Sequence, residues 1–289
     1  MTLDFAAADM TVHRIIDLEA PFLPALEMLP ELTPQLLDEN RAWMQDSLDA
    51  HDAFKLCYQA YLVRTPHHTI LVDSCLGNDK QRPRPEWHMK RNDSFMRGLA
   101  RIGVRVEDID YVMCTHLHGD HVGWNTRLDN GEWVPTFPKA RYVFSQREVE
   151  SVKALDAQAP NAAYQDSVLP IIRKGRADLV DDEFALGDHV RLLPTPGHTE
   201  GHVALCFGKA RDELVVTGDL IHVPLQMRYP ELNFVRDRIP ELARKTRRDF
   251  LERYCDTPTL CCAAHFPSPS AGRVRRWGNG YRMDYFEST

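Results

Sequence analysis

The 289-residue chain has no excess of basic residues: 35 Lys and Arg stand against 42 Asp and Glu, a formal charge of −7. A surface of that sign repels phosphate backbones, which excludes nucleic acid as a general partner. The single basic run, Arg236 to Arg248, is interleaved with acids and apolar residues. It reads as the solvated face of an amphipathic helix. No apolar run approaches the length of a membrane span, so a membrane role is not expected. Met1 to Met10 carries Asp4 and Asp9 and no basic cluster, unlike a secretory leader. Internal repeats and low-complexity stretches are absent. Cysteine occurs seven times, an odd number, with no Cys-x-x-Cys pair. Cys261 and Cys262 are adjacent, a spacing that rarely closes a relaxed disulfide. Free, buried thiols in a reducing compartment are therefore expected, and the setting they imply is cytoplasmic.

What is present is the composition of a soluble globular protein, 43% hydrophobic and 27% charged. Strand-like and helix-like stretches alternate without a compositional break, which predicts one α/β domain over residues 1–289. Strands are expected at Val12 to Leu18, Lys55 to Arg64, Thr69 to Val72, Ile109 to Cys114 and Ala140 to Phe144. Further strands are expected at Val190 to Leu193, Val203 to Phe207, Leu214 to Thr217 and Thr259 to Ala263, with an edge strand at Tyr281 to Phe286. Helices are expected at Gln35 to Ala50 (capped by Thr33), Asp93 to Ile102, Gln146 to Ala157, Ala163 to Lys174 and Ile239 to Tyr254. Pro21, Pro24, Pro30 and Pro34 predict a loop, and the segment of about residues 1–50 reads as an arm or lid. Asp73 to Arg91 and Asn125 to Pro138 read as long loops.

One short segment stands apart. Thr115-His116-Leu117-His118-Gly119-Asp120-His121 follows the apolar strand Ile109 to Cys114. Packing does not favour three histidines and a carboxylate there. On a strand His116, His118 and Asp120 would share one face, whereas on a turn allowed by Gly119 the set can address two neighbouring centres. Imidazole and carboxylate suit zinc and similar divalent ions. Three distant segments repeat the arrangement of a His or Asp after a strand: His198 in Pro196 to His202, Asp219 after Thr217-Gly218, and His265 after Ala264.

This pattern resembles the metallo-β-lactamase-fold hydrolases, whose His-x-His-x-Asp-His motif with a distant His, Asp and His is matched by His116, His118, Asp120, His121, His198, Asp219 and His265. The resemblance covers the chain from Asp73-Ser74-Cys75-Leu76-Gly77 onward. It implies an α/β fold of four layers, an αββα sandwich. It also implies two divalent metal ions per chain, zinc first, with Mn, Fe or Co as alternatives. The first metal would lie on His116, His118 and His198, and the second on Asp120, His121 and His265, with Asp219 bridging. Asp73 and His202 would orient ligands, or serve the fold alone. Asp219, where the best-known zinc β-lactamases carry Cys, favours the dinuclear hydrolase branch. Gly218 to His222, Ala264 to Pro267 and Gly278 to Arg282 are similar to the methyl parathion hydrolase-like and lactonase subfamily. The acyl-homoserine lactonases carry Tyr three residues after the bridging Asp; here that place is His222.

The mechanism expected from this likeness is attack of a metal-bridging hydroxide on a carboxylic ester or lactone. Asp120 would orient the water and take its proton, and His222 would contact substrate or donate a proton. Phosphotriester hydrolysis is the alternative within the same site, and a non-catalytic metal-binding protein is the alternative outside catalysis. Aromatic side chains are expected to line the pocket, Trp124 and Phe266 first, with Phe22, Trp87 and Trp133 as further candidates. The partners are small molecules, with a homodimer implied by the resemblance.

Overall fold

In a computed structural model of the chain, residues 4–286 are described. The strands are β1 (Asp4–Ala7), β2 (Met10–Pro24), β3 (Ala53–Arg64), β4 (Thr69–Val72), β5 (Tyr111–Met113), β6 (Thr126–Asp129), β7 (Glu132–Pro135) and β8 (Arg141–Ser145). They continue with β9 (Ala177–Val180), β10 (Ala185–Leu186), β11 (Val190–Pro194), β12 (Val203–Phe207), β13 (Leu214–Val216), β14 (Leu260–Cys262), β15 (Ala271–Trp277) and β16 (Gly280–Tyr285). The α-helices are α1 (Ala25–Met28), α2 (Pro34–Met44), α3 (Ser94–Arg101), α4 (Gln146–Gln158), α5 (Leu169–Arg173), α6 (Leu225–Arg228) and α7 (Pro240–Tyr254).

The described residues fall into two compact units. The first holds residues 4–18 and Tyr58–Phe184, and the second Glu19–Cys57 and 185–286. β2 and β3 run covalently from one unit into the other. A seven-stranded sheet has the order β1-β2-β3-β4-β5-β8-β9. Its inner strands β4, β5 and β8 are parallel. Parallel strands are covered on both faces and read as continuous apolar runs, as the buried Ile70, Leu71, Val72, Val112, Met113, Tyr142, Val143 and Phe144 do. Phe95 and Leu99 of α3 and Val149 and Val152 of α4 pack into the same core.

The second unit carries the sheet β10-β11-β12-β13-β14-β15-β16. Its neighbours are antiparallel except β13 and β14, which pair in parallel with Val216 beside Cys262. β12 is buried along its whole length. Phe250, Leu251 and Tyr254 of α7 pack into the core over Cys206, Val215 and Cys261. The parallel pair has a consequence for function. In α/β sheets, ligand sites gather beyond the carboxyl ends of parallel strands, and in each unit histidine- and aspartate-bearing turns leave from such ends.

Most expected elements form near their expected places. Thr33 caps α2, its hydroxyl accepting from the Leu36 amide at 3.1 Å. The helix stops at Met44, and a 3-10 turn over Gln45–Ser47 follows. Asn125 to Pro138 is not a loop: β6 and β7 form a hairpin there. Asn130 and Gly131 sit at its tip with φ of 50° and 85°, the left-handed pair that an Asn-Gly hairpin turn requires. The proline-rich stretch is likewise more ordered than expected, because β2 continues to Pro24 and α1 follows directly. The sequence pattern does not predict β9 or β15. β15, Ala-Gly-Arg-Val-Arg-Arg-Trp, buries Ala271, Gly272 and Val274 against β14 and β16 and leaves its arginines at the surface. Among the described residues, no helix is long and apolar enough to cross a membrane. The seven cysteines are free thiols, and all but Cys255 are buried.

Candidate metal centre

In the first unit, β4 and β5 lie side by side with Val72 paired to Met113, so the loop after β4 and the turn after β5 start together. The loop Asp73 to Gly77 has positive φ at Asp73, Cys75 and Gly77. It threads along the back of the histidine turn. The Ser74 amide donates to the His121 carbonyl at 2.7 Å, the Gly123 amide to the Cys75 carbonyl at 2.7 Å and the Trp124 amide to the Ser74 carbonyl at 2.8 Å. The approach is close enough that a Cβ on Gly123 would lie 1.9 Å from the Leu76 carbonyl carbon. Glycine is required at that contact for want of space.

Asp73, 3% exposed, organises the turn. Its Oδ1 accepts from the Thr115 amide at 2.8 Å and its Oδ2 from the Thr115 hydroxyl at 2.9 Å. Oδ2 also lies 2.9 Å from His121 Nδ1. A carboxylate only accepts, so Nδ1 carries the hydrogen and the lone pair of neutral His121 is on Nε2. That Nε2 is turned to Asp120 Oδ2, 3.8 Å away. His116 Nε2 and His118 Nδ1 lie 3.0 Å apart, close to the roughly 3.3 Å between two nitrogens held tetrahedrally at zinc distances. The Leu117 amide between them donates to Glu148 of α4 at 3.2 Å. Sequence reasoning missed Glu148, since a glutamate in the first turn of a helix normally faces water.

In the second unit, Asp219 follows β13, His265 follows β14, and His198 follows β11. Asp219 is 3% exposed and divides its carboxylate: Oδ1 lies 3.0 Å from His265 Nε2, and Oδ2 lies 3.3 Å from His198 Nε2. Each of these rings is held at its other nitrogen. His265 Nδ1 donates to the Cys57 carbonyl at 3.0 Å, and His198 Nδ1 lies 3.0 Å from Asp237 Oδ1. The hydrogens are thereby committed to Nδ1, and both Nε2 lone pairs face a carboxylate oxygen. Two acceptors at 3.0–3.3 Å repel unless a cation sits between them. The donor set fits a metal on each side of Asp219. His202, expected to orient a ligand or to serve the fold, accepts the Asp219 amide on Nε2 at 3.0 Å and meets the Thr195 hydroxyl at 2.8 Å on Nδ1. It fixes the main chain of Asp219.

His222 is 1% exposed, with Nε2 3.2 Å from Asp219 Oδ2. Its ring lies 4.0 Å from that of Phe234 and nearly parallel to that of His265. Burial pushes its pKa down to about 4 against the pull of Asp219, so the ring is neutral near pH 7. Nothing in the sequence singles out Asp237. Burial alone would raise its pKa, but the His198 hydrogen bond, the neighbouring His222 and His198 imidazoles and the Arg247 charge outweigh that and hold it below the ordinary value. Arg247 is buried and donates to Asp237 at 3.2 Å and to the carbonyls of Leu220, Pro230 and Leu232 at 2.8–2.9 Å. The solvated-face reading of Arg236 to Arg248 therefore fails at these two positions, because the unit folds them inward to serve His198. No local pattern signals it.

The aromatic expectations also change. Trp124 is core, stacked on Phe95 at 5.5 Å, and Phe266 is fully buried under β14. Phe22 does approach the ligands of its unit, through Phe234 at 5.9 Å. Sequence reasoning missed Phe234 itself, which lies over His198 and His222.

The fold and the two donor sets define a class, and the comparisons with known proteins agree. The profile of the metallo-β-lactamase superfamily matches residues 58–265, and the chain belongs to that superfamily. Its curated relatives include an N-acyl homoserine lactonase of Bacillus cereus, 24% identical over 212 residues, which cover 70% of this chain and 75% of the relative. Another N-acyl homoserine lactonase, from a Bacillus species, is 30% identical over 117 residues, 40% of each chain. Among solved structures, the dizinc quorum-quenching lactonase AidC superposes with a TM-score of 0.82 at 19% identity, covering 100% of this chain and 98% of AidC. The hydrolase AbOPH of the β-lactamase superfamily gives a TM-score of 0.81 at 20% identity, covering 99% of this chain and 98% of its own. The fold is that of the superfamily, mixed α/β with two large sheets. The expectation of a lactone-cleaving metal-dependent hydrolase agrees with these relatives.

Proposed function

We propose that the two units act as one domain, and that their donor sets together hold two divalent metal ions for the hydrolysis of a lactone or carboxylic ester. The observation that carries this reading is the divided carboxylate of Asp219, with one oxygen on the lone-pair side of His265 and the other on that of His198. His116, His118 and His198 would hold one ion, Asp120, His121 and His265 the other, and Asp219 both. Seven nitrogen and oxygen donors without cysteine suit a catalytic zinc site better than a closed structural one. When bound, the metals supply a water of lowered pKa and polarise the substrate oxygen.

The chain's own residues do the rest. Asp73, Asp237 and the Cys57 carbonyl fix the tautomers of His121, His198 and His265. Asp120, partly exposed at the end of the turn, would accept the proton of the attacking water. His222 is neutral and within 3.2 Å of Asp219. Its N–H is a donor toward the alkoxide that leaves on ring opening. The place of His222, where the acyl-homoserine lactonases carry Tyr, points away from their preferred substrates and toward other lactones and aryl esters. Zinc is the proposed ion. The free buried cysteines support a cytoplasmic setting, and a homodimer completes the proposal.

The test is a panel of lactones of graded chain length, aryl esters and phosphotriesters, run on protein of measured metal content. Two metals per chain and lactone or ester turnover that chelation abolishes are expected. Turnover of phosphotriesters alone would replace the ester reading with the organophosphate one. Two metals with no turnover of any of these would leave a metal-binding protein.

A further inference from the structure

The long loop after β4 carries two cations that the proposed chemistry does not use. Lys80 is fully buried and Arg82 is 7% exposed. Both converge on Asp166, which sits in a π-turn, Tyr164–Val168. Arg82 donates Nη1 and Nη2 to the two Asp166 oxygens at 2.7 and 3.0 Å, and the Ser167 hydroxyl donates to Oδ1 at 2.6 Å. Lys80 Nζ lies 3.6 Å from the same carboxylate and donates to the Thr126 hydroxyl at 2.6 Å. Buried ion clusters repay their desolvation poorly, and apolar side chains of the same volume often do as well. Stability alone does not explain this one.

Its location does. The remaining edge of the Arg82 guanidinium faces Gly119, the residue between His118 and Asp120. A Cβ on Gly119 would stand 2.8 Å from Arg82 Nε, 3.3 Å from its Cδ and 3.5 Å from the Ala163 Cβ. Nε is buried and has no hydrogen-bond partner among the described residues, so it bears on the turn as a packed surface. The bidentate pair with Asp166 leaves the planar guanidinium little freedom to rotate. Glycine gives the turn its conformational freedom, and the fixed edge of Arg82 takes that freedom away.

We infer that Arg82, locked by Asp166, is a positioning residue that sets the main chain at Gly119 and with it the aim of His118 and Asp120. The inference rests on the dinuclear reading, in which those two side chains serve different ions. Lysine at 82 would keep the charge beside Asp166 but has neither the second donor nor the Nε edge. A role limited to charge balance would be restored by lysine; a positioning role would not.

The experiment uses the full chain as Arg82→Lys, Arg82→Met and Gly119→Ala. Zinc is titrated against a chromophoric chelator, and the visible spectrum of the cobalt(II)-loaded protein is recorded beside kcat and KM. Arg82→Lys is expected to keep its melting temperature near that of the parent. It should nevertheless lose tenfold or more in affinity for at least one metal, shift the cobalt bands and lower kcat with KM within twofold. Gly119→Ala pushes on the same contact from the other side and should give the same pattern. Parent-like zinc affinity and cobalt spectrum in a folded Arg82→Lys, or in Gly119→Ala should the Arg82 variants fail to fold, would overturn the inference. A parent protein that binds fewer than two metals would instead overturn the dinuclear reading on which it stands.

Discussion

Asp237 holds His198 by the edge of the ring turned away from Asp219: Nδ1 is 3.0 Å from Asp237 Oδ1, and Nε2 is 3.3 Å from Asp219 Oδ2. The pair fixes both the tautomer and the angle of the ring. Partners of this kind matter to a metal site by about 10–100-fold in affinity or activity. Asp237→Asn keeps the shape and loses the charge, and its amide can present a donor to Nδ1. It is expected to weaken zinc binding within that range, measured by chelator competition. Unchanged affinity would mean that Asp237 serves only Arg247 and the loop it ties down.

His222 offers a sharper division. A side chain that only steadies Asp219 should cost no more than about 100-fold when replaced, whereas a proton donor in the rate-limiting step costs about 10²–10⁴-fold in kcat. His222→Phe fills the same space between Phe234 and His265. With metal content held equal, a fall in kcat greater for alkyl than for aryl esters is expected of a donor, because alkoxides leave less readily. An equal fall for both would assign His222 to support of Asp219.

The close passage of the Asp73 to Gly77 loop behind the histidine turn is a stability prediction. A methyl at Gly123 meets backbone at 1.9 Å, and backbone cannot rotate away. Overpacking of this kind costs about 3 kcal/mol, which for a chain of this size lowers the melting temperature by roughly 5 °C. Gly123→Ala is therefore expected to melt well below the parent in calorimetry, and a shift under about 2 °C would contradict the steric account.

Lys80 gives a dependence on pH. Burial lowers its pKa from 10.5 to about 7, against the opposing pull of Asp166. Between those values the unfolded chain binds one more proton than the folded one, so stability rises with pH. Below pH 7 the penalty is present in full, on the order of 5 kcal/mol, and it fades as pH rises toward 10.5. Lys80→Met removes this dependence. Relative to the parent, the variant should lose ground by up to about 1.4 kcal/mol per pH unit above pH 7. Urea unfolding of both proteins at pH 6.5 and pH 9 measures the difference, and equal changes would place the Lys80 pKa near its ordinary value.

The candidate donors were legible in the sequence, because metal ligation demands particular atoms. His116, His118, Asp120 and His121 are dense within one turn, and His198, Asp219 and His265 each follow an apolar strand. The supporting residues carry no such mark. Asp237 and Arg247 lie in what reads as a charged helix face, Glu148 opens a helix, and Asp166 sits in a π-turn. Each is an ordinary surface type that becomes a ligand support only when the chain buries it. Trp124 and Phe266 failed in the opposite sense, since closeness to a ligand along the chain says nothing of which side of the strand a ring takes. The β6–β7 hairpin was marked by Asn130-Gly131, a signal that the polar surroundings obscured.

The sequence by itself determined the superfamily, through the spacing of its histidines and aspartates, and it supplied the candidate metal donors. Tertiary structure alone decided how those donors are aimed. Asp219 meets His265 because β13 and β14 end in register. His121 is held by Asp73 because β4 and β5 do. Register between strands is set by packing over the whole sheet, and no stretch of chain short enough to read as a motif contains it.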